Sequence, residues 1–106
     1  MEIKKSDWKL FRERLPEWQE KYMERLVGEY VRYLQSDLPA STKFWEMEKK
    51  IKQDKNKPGV LLSLEKKNVD FDLMRLMKGG VIKEDDLDGF SQELIDRVLG
   101  LYNVKW

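Results

Sequence analysis

The apolar spacing between Glu17 and Gln35 constrains this chain more than any other feature. Trp18, Tyr22, Leu26, Tyr30 and Leu34 advance by four, and Met23, Val27, Val31 and Tyr33 widen the row. Such a row recurs once per turn of an α-helix and gathers on one face. Glu17, Glu20, Lys21, Glu24, Arg25, Glu29 and Arg32 mostly fill the other side, and Glu17–Lys21 is a favourable pair four residues apart. The pattern predicts an all-α single domain over residues 1–106. It would be a compact bundle of four to five helices, with this helix as the central hydrophobic post.

The flanking segments read as shorter helices. Ser6 is placed to cap a first helix bearing Trp8, Leu10, Phe11 and Leu15, with Asp7 in its first turn. Pro16 is expected to bend or end it, because proline disfavours helical geometry at Leu15 and suits the first position of a new helix. Ser36 to Ala40 is turn material. Ser41 or Thr42 can cap a helix reaching Asp54, with Phe44, Met47 and Ile51 on one side, Trp45 beside them, and Glu46–Lys50 and Glu48–Lys52 as supporting pairs. Lys55 to Gly59 closes it as an exposed loop. Val60, Leu62 and Leu64 alternate like a strand, yet no second such run exists to pair with them. Extended chain near residues 58–66, laid across the helices, is the expectation. Asn68 is placed to cap a helix with Val69, Leu73, Leu76 and Met77 inward, stopped by Gly79-Gly80. After a turn-helix around Glu84–Asp88, Ser91 should cap a last helix whose stripe is Leu94, Ile95, Val98, Leu99 and Tyr102. The tail from Asn103 to Trp106 is expected to fray.

Composition excludes whole classes of chemistry. Cysteine and histidine are both absent. Disulfides, thiolate nucleophiles, imidazole bases and the common transition-metal ligands are therefore unavailable. Four Trp, four Tyr and four Phe argue for a core rather than disorder. A chain of this length buries roughly 65% of its unfolded surface and needs no staples. The start, Met1 to Phe11, is charged and lacks the apolar stretch of a signal peptide, and the longest aliphatic run is Val60-Leu61-Leu62. A soluble, cytoplasmic chain with no membrane contact is expected.

Net charge is only +1, so no global attraction to nucleic acid or anionic lipid operates. Charge is nonetheless unevenly spread. Residues 1–67 carry 16 basic and 12 acidic side chains, a net of +4, and residues 68–106 carry five and eight, a net of −3. Such a dipole can orient a charged partner, or pair two copies head to tail; the expected state is a monomer or weak homodimer.

Few constellations could carry chemistry. Glu84, Asp86, Asp88 and Gly89 match the first positions of a calcium loop, but its closing carboxylate position falls on Ile95 and the capped helix at Ser91 interrupts it. The run reads as an acidic helix start, and no metal or cofactor is expected. Paired carboxylates would need a pocket that a small helical domain without a nucleotide-binding glycine loop hardly offers; no enzymatic activity is expected. Lys49, Lys50, Lys52, Lys55 and Lys57 form a basic run one turn downstream of Phe44 and Trp45. Lysines beside aromatics are a footprint of phosphate-backbone contact, though arginine is missing and Glu46, Glu48 and Asp54 dilute the charge. A solvated helix face is the plainer reading, with contact to an acidic protein surface the next alternative and nucleic acid the third. For Trp45 core burial is the commoner fate, yet it sits about 100° round from Phe44 and is the best single candidate for a partner contact.

Several stretches resemble a family of small uncharacterised bacterial helical proteins of about 100 residues. They are Ser6 to Arg14, Trp18 to Met23, Lys43-Phe44-Trp45, Lys57 to Val60 and Asp86 to Ser91. Members often carry the label "multidrug transporter" and occur among mobile-element genes. The label does not suit a chain with nothing to cross a bilayer. The genomic association implies an accessory protein that binds a host or element protein, for example to inhibit a defence nuclease. The expectation is thus a non-catalytic protein-interaction module. The alternatives are a nucleic-acid-binding accessory protein using Lys49–Lys57, and a small-molecule-binding accessory with an aromatic-lined cavity.

Overall fold

The expected break at Pro16 does not occur. In a computed structural model, which describes residues 1–104, helix α1 runs unbroken from Lys5 to Leu34 with Pro16 inside it. Proline removes one N–H and leaves the Arg12 carbonyl without a helical partner. Pro16 lies on the exposed side, where water can reach that carbonyl, while Phe11, Leu15 and Trp18 are buried on the other. Packing on both sides of the proline therefore keeps the helix in one piece.

Three further helices follow: α2 (Ala40–Asp54), α3 (Val69–Lys78) and α4 (Gln92–Tyr102), with 3₁₀ turns at Lys66–Asn68 and Glu84–Leu87 and no strand among the described residues. The all-α class and the helix count stand as expected. Several caps do not. Ser6 lies inside α1, which starts behind Lys4, and α2 starts directly behind Pro39, so neither Ser41 nor Thr42 caps it. Asn68 precedes α3 but makes no side-chain cap; the Phe71 N–H it could have taken donates instead to the Asp70 carboxylate at 2.9 Å. Ser91 does cap α4, its hydroxyl accepting from the Leu94 N–H at 3.4 Å. The glycine stop is also found. Gly80 takes φ +73°, and the Val81 N–H reaches back to the Leu76 carbonyl at 2.9 Å, closing the end of α3.

The core gathers at one end of α1. Phe11, Leu15 and Trp18 pack with Val69, Leu73, Met74, Leu76 and Met77 of α3, Leu94 and Val98 of α4, and Ile3, Ile82, Leu87 and Phe90 from the connections. Residues 61–65 are irregular chain, with Leu62 against this cluster and Leu61 and Leu64 exposed. Asp7 ties the cluster together. Buried on α1, its carboxylate accepts the Ser91 N–H at 2.8 Å and the Ser91 hydroxyl at 2.6 Å, placing a negative charge at the N-terminus of α4.

The second half of α1 is not the central post that its periodicity suggests. Leu26 is buried, but Met23, Val27, Val31 and Leu34 are 39 to 54% exposed, and α2 has no buried residue. A 30-residue helix is about 45 Å long, longer than a domain of this size is wide. The molecule measures 52 × 29 × 22 Å, and its radius of gyration of 16.5 Å exceeds the roughly 13 Å of a compact chain of this length. The second half of α1 and α2 form a two-helix hairpin that projects from the compact end.

Candidate functional site

The hairpin is clamped by a few polar contacts, mostly at its base. The Gln19 side-chain amide donates to the Pro58 carbonyl at 3.0 Å, and Arg25 donates to the Gly80 carbonyl at 2.7 Å. Gly59 sits against the Tyr22 ring, where a Cβ would collide with the ring carbons. Higher up, the Tyr30 hydroxyl donates to Asp54, which also takes Lys57 at 2.8 Å. Burial, reinforced by that hydrogen bond, pushes the Tyr30 hydroxyl up to about 12. Lys57, then Tyr30, hold the Asp54 carboxyl below its ordinary range, and Asp54 in turn raises Lys57. The three groups form a charged latch across the hairpin.

Along one side of this hairpin runs an open apolar groove. Its base is lined by Met23, Val27, Tyr30, Ile51 and Val60, and its outer part by Leu34, Phe44, Met47 and Ile51, with a volume of about 520 Å³ there. Met23, Val27, Leu34, Phe44 and Ile51 on this face are 39 to 65% exposed, a run of apolar side chains open to solvent. At its outer end Phe44 and Trp45, 65% and 62% exposed, meet edge to face with ring centroids 5.0 Å apart. Trp45 therefore stands in solvent rather than in the core.

The lysine run does not become a strip in space. Successive residues on a helix turn by about 100°, so Lys49, Lys50 and Lys52 leave α2 in different directions. Lys50 lies over the Tyr33 ring at 5.1 Å, Lys52 pairs with Glu48 at 3.5 Å, Lys57 pairs with Asp54, Lys55 lines the groove and Lys49 is exposed. The acidic run is likewise occupied from within. Asp86 accepts the Lys83 N–H at 2.8 Å, and the carbonyls of Asp86 and Asp88 both accept from Arg14, which also covers the Phe90 ring. Arg14, Glu17, Lys21, Asp85, Asp86 and Asp88 border a polar depression beside Trp18, and there Lys21 is paired with Glu17 at 3.1 Å. Among the described residues no cluster of three or more carboxylates is arranged to hold a metal ion, and no helix is long and apolar enough to cross a membrane. The expected fraying of the tail concerns, at its end, Lys105 and Trp106, which lie outside the described residues.

The sequence periodicity puts Met23, Val27 and Leu34 on a central hydrophobic post and Phe44, Met47 and Ile51 on one side of their helix, and in the structure all six line the groove. A signal was present: in the second helix of the hairpin the apolar row is narrow and bordered by charge on both sides. Comparison with protein-family models, with curated proteins and with solved structures finds no match to this chain.

Proposed function

We propose that this protein is a non-catalytic protein-interaction module that meets its partner through the α1–α2 hairpin, with Phe44 and Trp45 as anchors. The observation that carries this reading is the exposure of a continuous apolar face on a hairpin held clear of the core. Tryptophan is among the side chains that most often dominate binding energy, and phenylalanine is enriched at interface centres. The sequence resemblance supports an accessory role, the partner being a host or mobile-element protein such as a defence nuclease held inactive. The nucleic-acid alternative gains less from the geometry, because its five lysines diverge and two of them are engaged in ion pairs. A small-molecule role would use the open apolar groove, whose lining is mainly aliphatic.

Co-purification from the native cell tests the proposal. A tagged wild-type chain should retain a specific partner, and Trp45→Ala should weaken its capture about tenfold or more. Recovery of the same partner at the same yield with Phe44→Ala and Trp45→Ala combined would remove the hairpin from the account.

A further inference from the structure

Where the lysine run near the end of α2 disperses, the start of α1 gathers charge. Lys5, Lys9 and Arg12 follow one another by four and three residues. That spacing sets them within about 60° on one side of the helix and about 10 Å along its axis. Phe11, Leu15 and Trp18 turn another side of the helix into the core, which leaves this row in solvent. Lys66, in the 3₁₀ turn before α3, joins it, bordering a depression with Lys4 and Lys5.

These four cations are free of internal partners. Glu2 and Glu93 border the same depression, and Lys4 takes Glu93 at 3.1 Å. Glu13 lies one turn beyond Lys9, yet none of Lys5, Lys9, Arg12 and Lys66 has a carboxylate within ion-pair distance. Arg12 lies over the Trp8 ring at 5.0 Å and makes no hydrogen bond, so its fork of N–H groups is open to an oxyanion. Trp8 itself packs against the core beneath Arg12, so the face offers charge rather than a platform for stacking bases. Within the row no apolar side chain stands ready to enter a lipid surface. We infer that the start of α1 is a binding site for the phosphate backbone of double-stranded nucleic acid, with Lys5, Lys9, Arg12 and Lys66 as its cations. Charges about 6 and 4.5 Å apart along a rigid helix can meet phosphates of one strand and release their counterions. The site is at the compact end, so it stands or falls separately from the hairpin.

Fluorescence anisotropy of a labelled DNA duplex of arbitrary sequence, titrated with the full chain, tests the assignment. At about 50 mM salt the Kd should lie near about 10–100 µM, and four phosphate contacts should weaken it roughly fifty-fold by about 150 mM. Lys9→Glu combined with Arg12→Glu should lower affinity about tenfold or more. Arg32→Glu combined with Lys49→Glu changes net charge equally but on the hairpin, Arg32 being about 30 Å along α1 from Arg12. That pair should lower affinity less than about threefold, since it lies beyond the Debye length. All four positions bear exposed side chains, and circular dichroism should show both variants folded. No binding at the lower salt, or equal losses in the two double variants, overturns the inference. Binding to phosphatidylserine vesicles but not to the duplex overturns it as well and gives the face to lipid.

Discussion

Along α1, Phe11, Leu15 and Trp18 of the first half are buried against α3 and α4, whereas Met23, Val27, Val31 and Leu34 of the second half face solvent beside a single neighbouring helix. Both halves are amphipathic and both have the periodicity of a core helix. The compact end adds elements about 50 to 90 residues away in sequence, together with the Asp7–Ser91 connection. The hairpin is a local structure, joined by a five-residue turn and latched by Tyr30, Asp54 and Lys57. The same helix therefore acts as foundation at one end and as a presented surface at the other.

Truncation in the two halves should give the largest contrast. Phe11→Ala or Leu73→Ala removes a fully buried side chain and should cost about 3–4 kcal/mol. Val31→Ala, in the exposed row, should cost less than about 0.5 kcal/mol in the monomer. Urea titration at low protein concentration measures both, and similar losses would mean that one core spans the whole helix.

Asp7→Ala comes next. It strands the Ser91 N–H and hydroxyl at a half-buried helix start and should cost about 1–2 kcal/mol. Amide exchange should quicken first at the start of α4, with the hairpin amides changing less; uniform quickening would show that the two regions unfold as one.

The two regions should also answer pH with opposite signs. Asp72 is buried in the compact end with one carboxylate oxygen unpartnered, and burial pushes it up to about 6 against a partial offset from Arg75. The folded state thus holds this proton more tightly than the unfolded chain. Its contribution is fully present below about 4 and is lost as pH rises through about 6. Asp72→Asn should therefore raise stability at pH 7 by about 1–2 kcal/mol and flatten the melting temperature between pH 4 and 7. Asp54 behaves inversely. Its lowered value means that the latch contributes above the ordinary carboxylate range and is lost as pH falls through that lowered value. Protection of the hairpin amides, followed from pH 7 down to the acid side of the lowered Asp54 value, should fall as the Asp54 carboxyl takes up its proton. Loosening that is the same with Asp54→Asn would remove the latch from the comparison.

Tyr30→Phe should have a smaller effect than these. Loss of its hydrogen bond to Asp54 should cost about 1 kcal/mol, confined to hairpin amides. A loss of that size spread over α3 and α4 would tie the latch to the core.

Much of the compact end was legible in the sequence. Leu73, Leu76, Met77, Leu94 and Val98 repeat at helical intervals, and Ser91 and Gly79-Gly80 mark where their helices start and stop. These signals are local, since caps and turns depend on backbone groups a few residues away. The Asp7–Ser91 link was not legible, because its partners are 84 residues apart and each has an adequate local role: dipole partner for one, cap for the other. Nor was the exposure of Val27, Phe44 and Ile51. An apolar stripe states that a helix face avoids water, and the statement is the same whether that face meets its own core or another molecule.

The order of residues by itself therefore determined an all-helical chain without thiol or imidazole chemistry, because periodicity and composition act within a few turns. Only the tertiary structure decided which stripes were covered. The core closes on the first half of α1, and a helix about 45 Å long outreaches a core that a chain of this size can build.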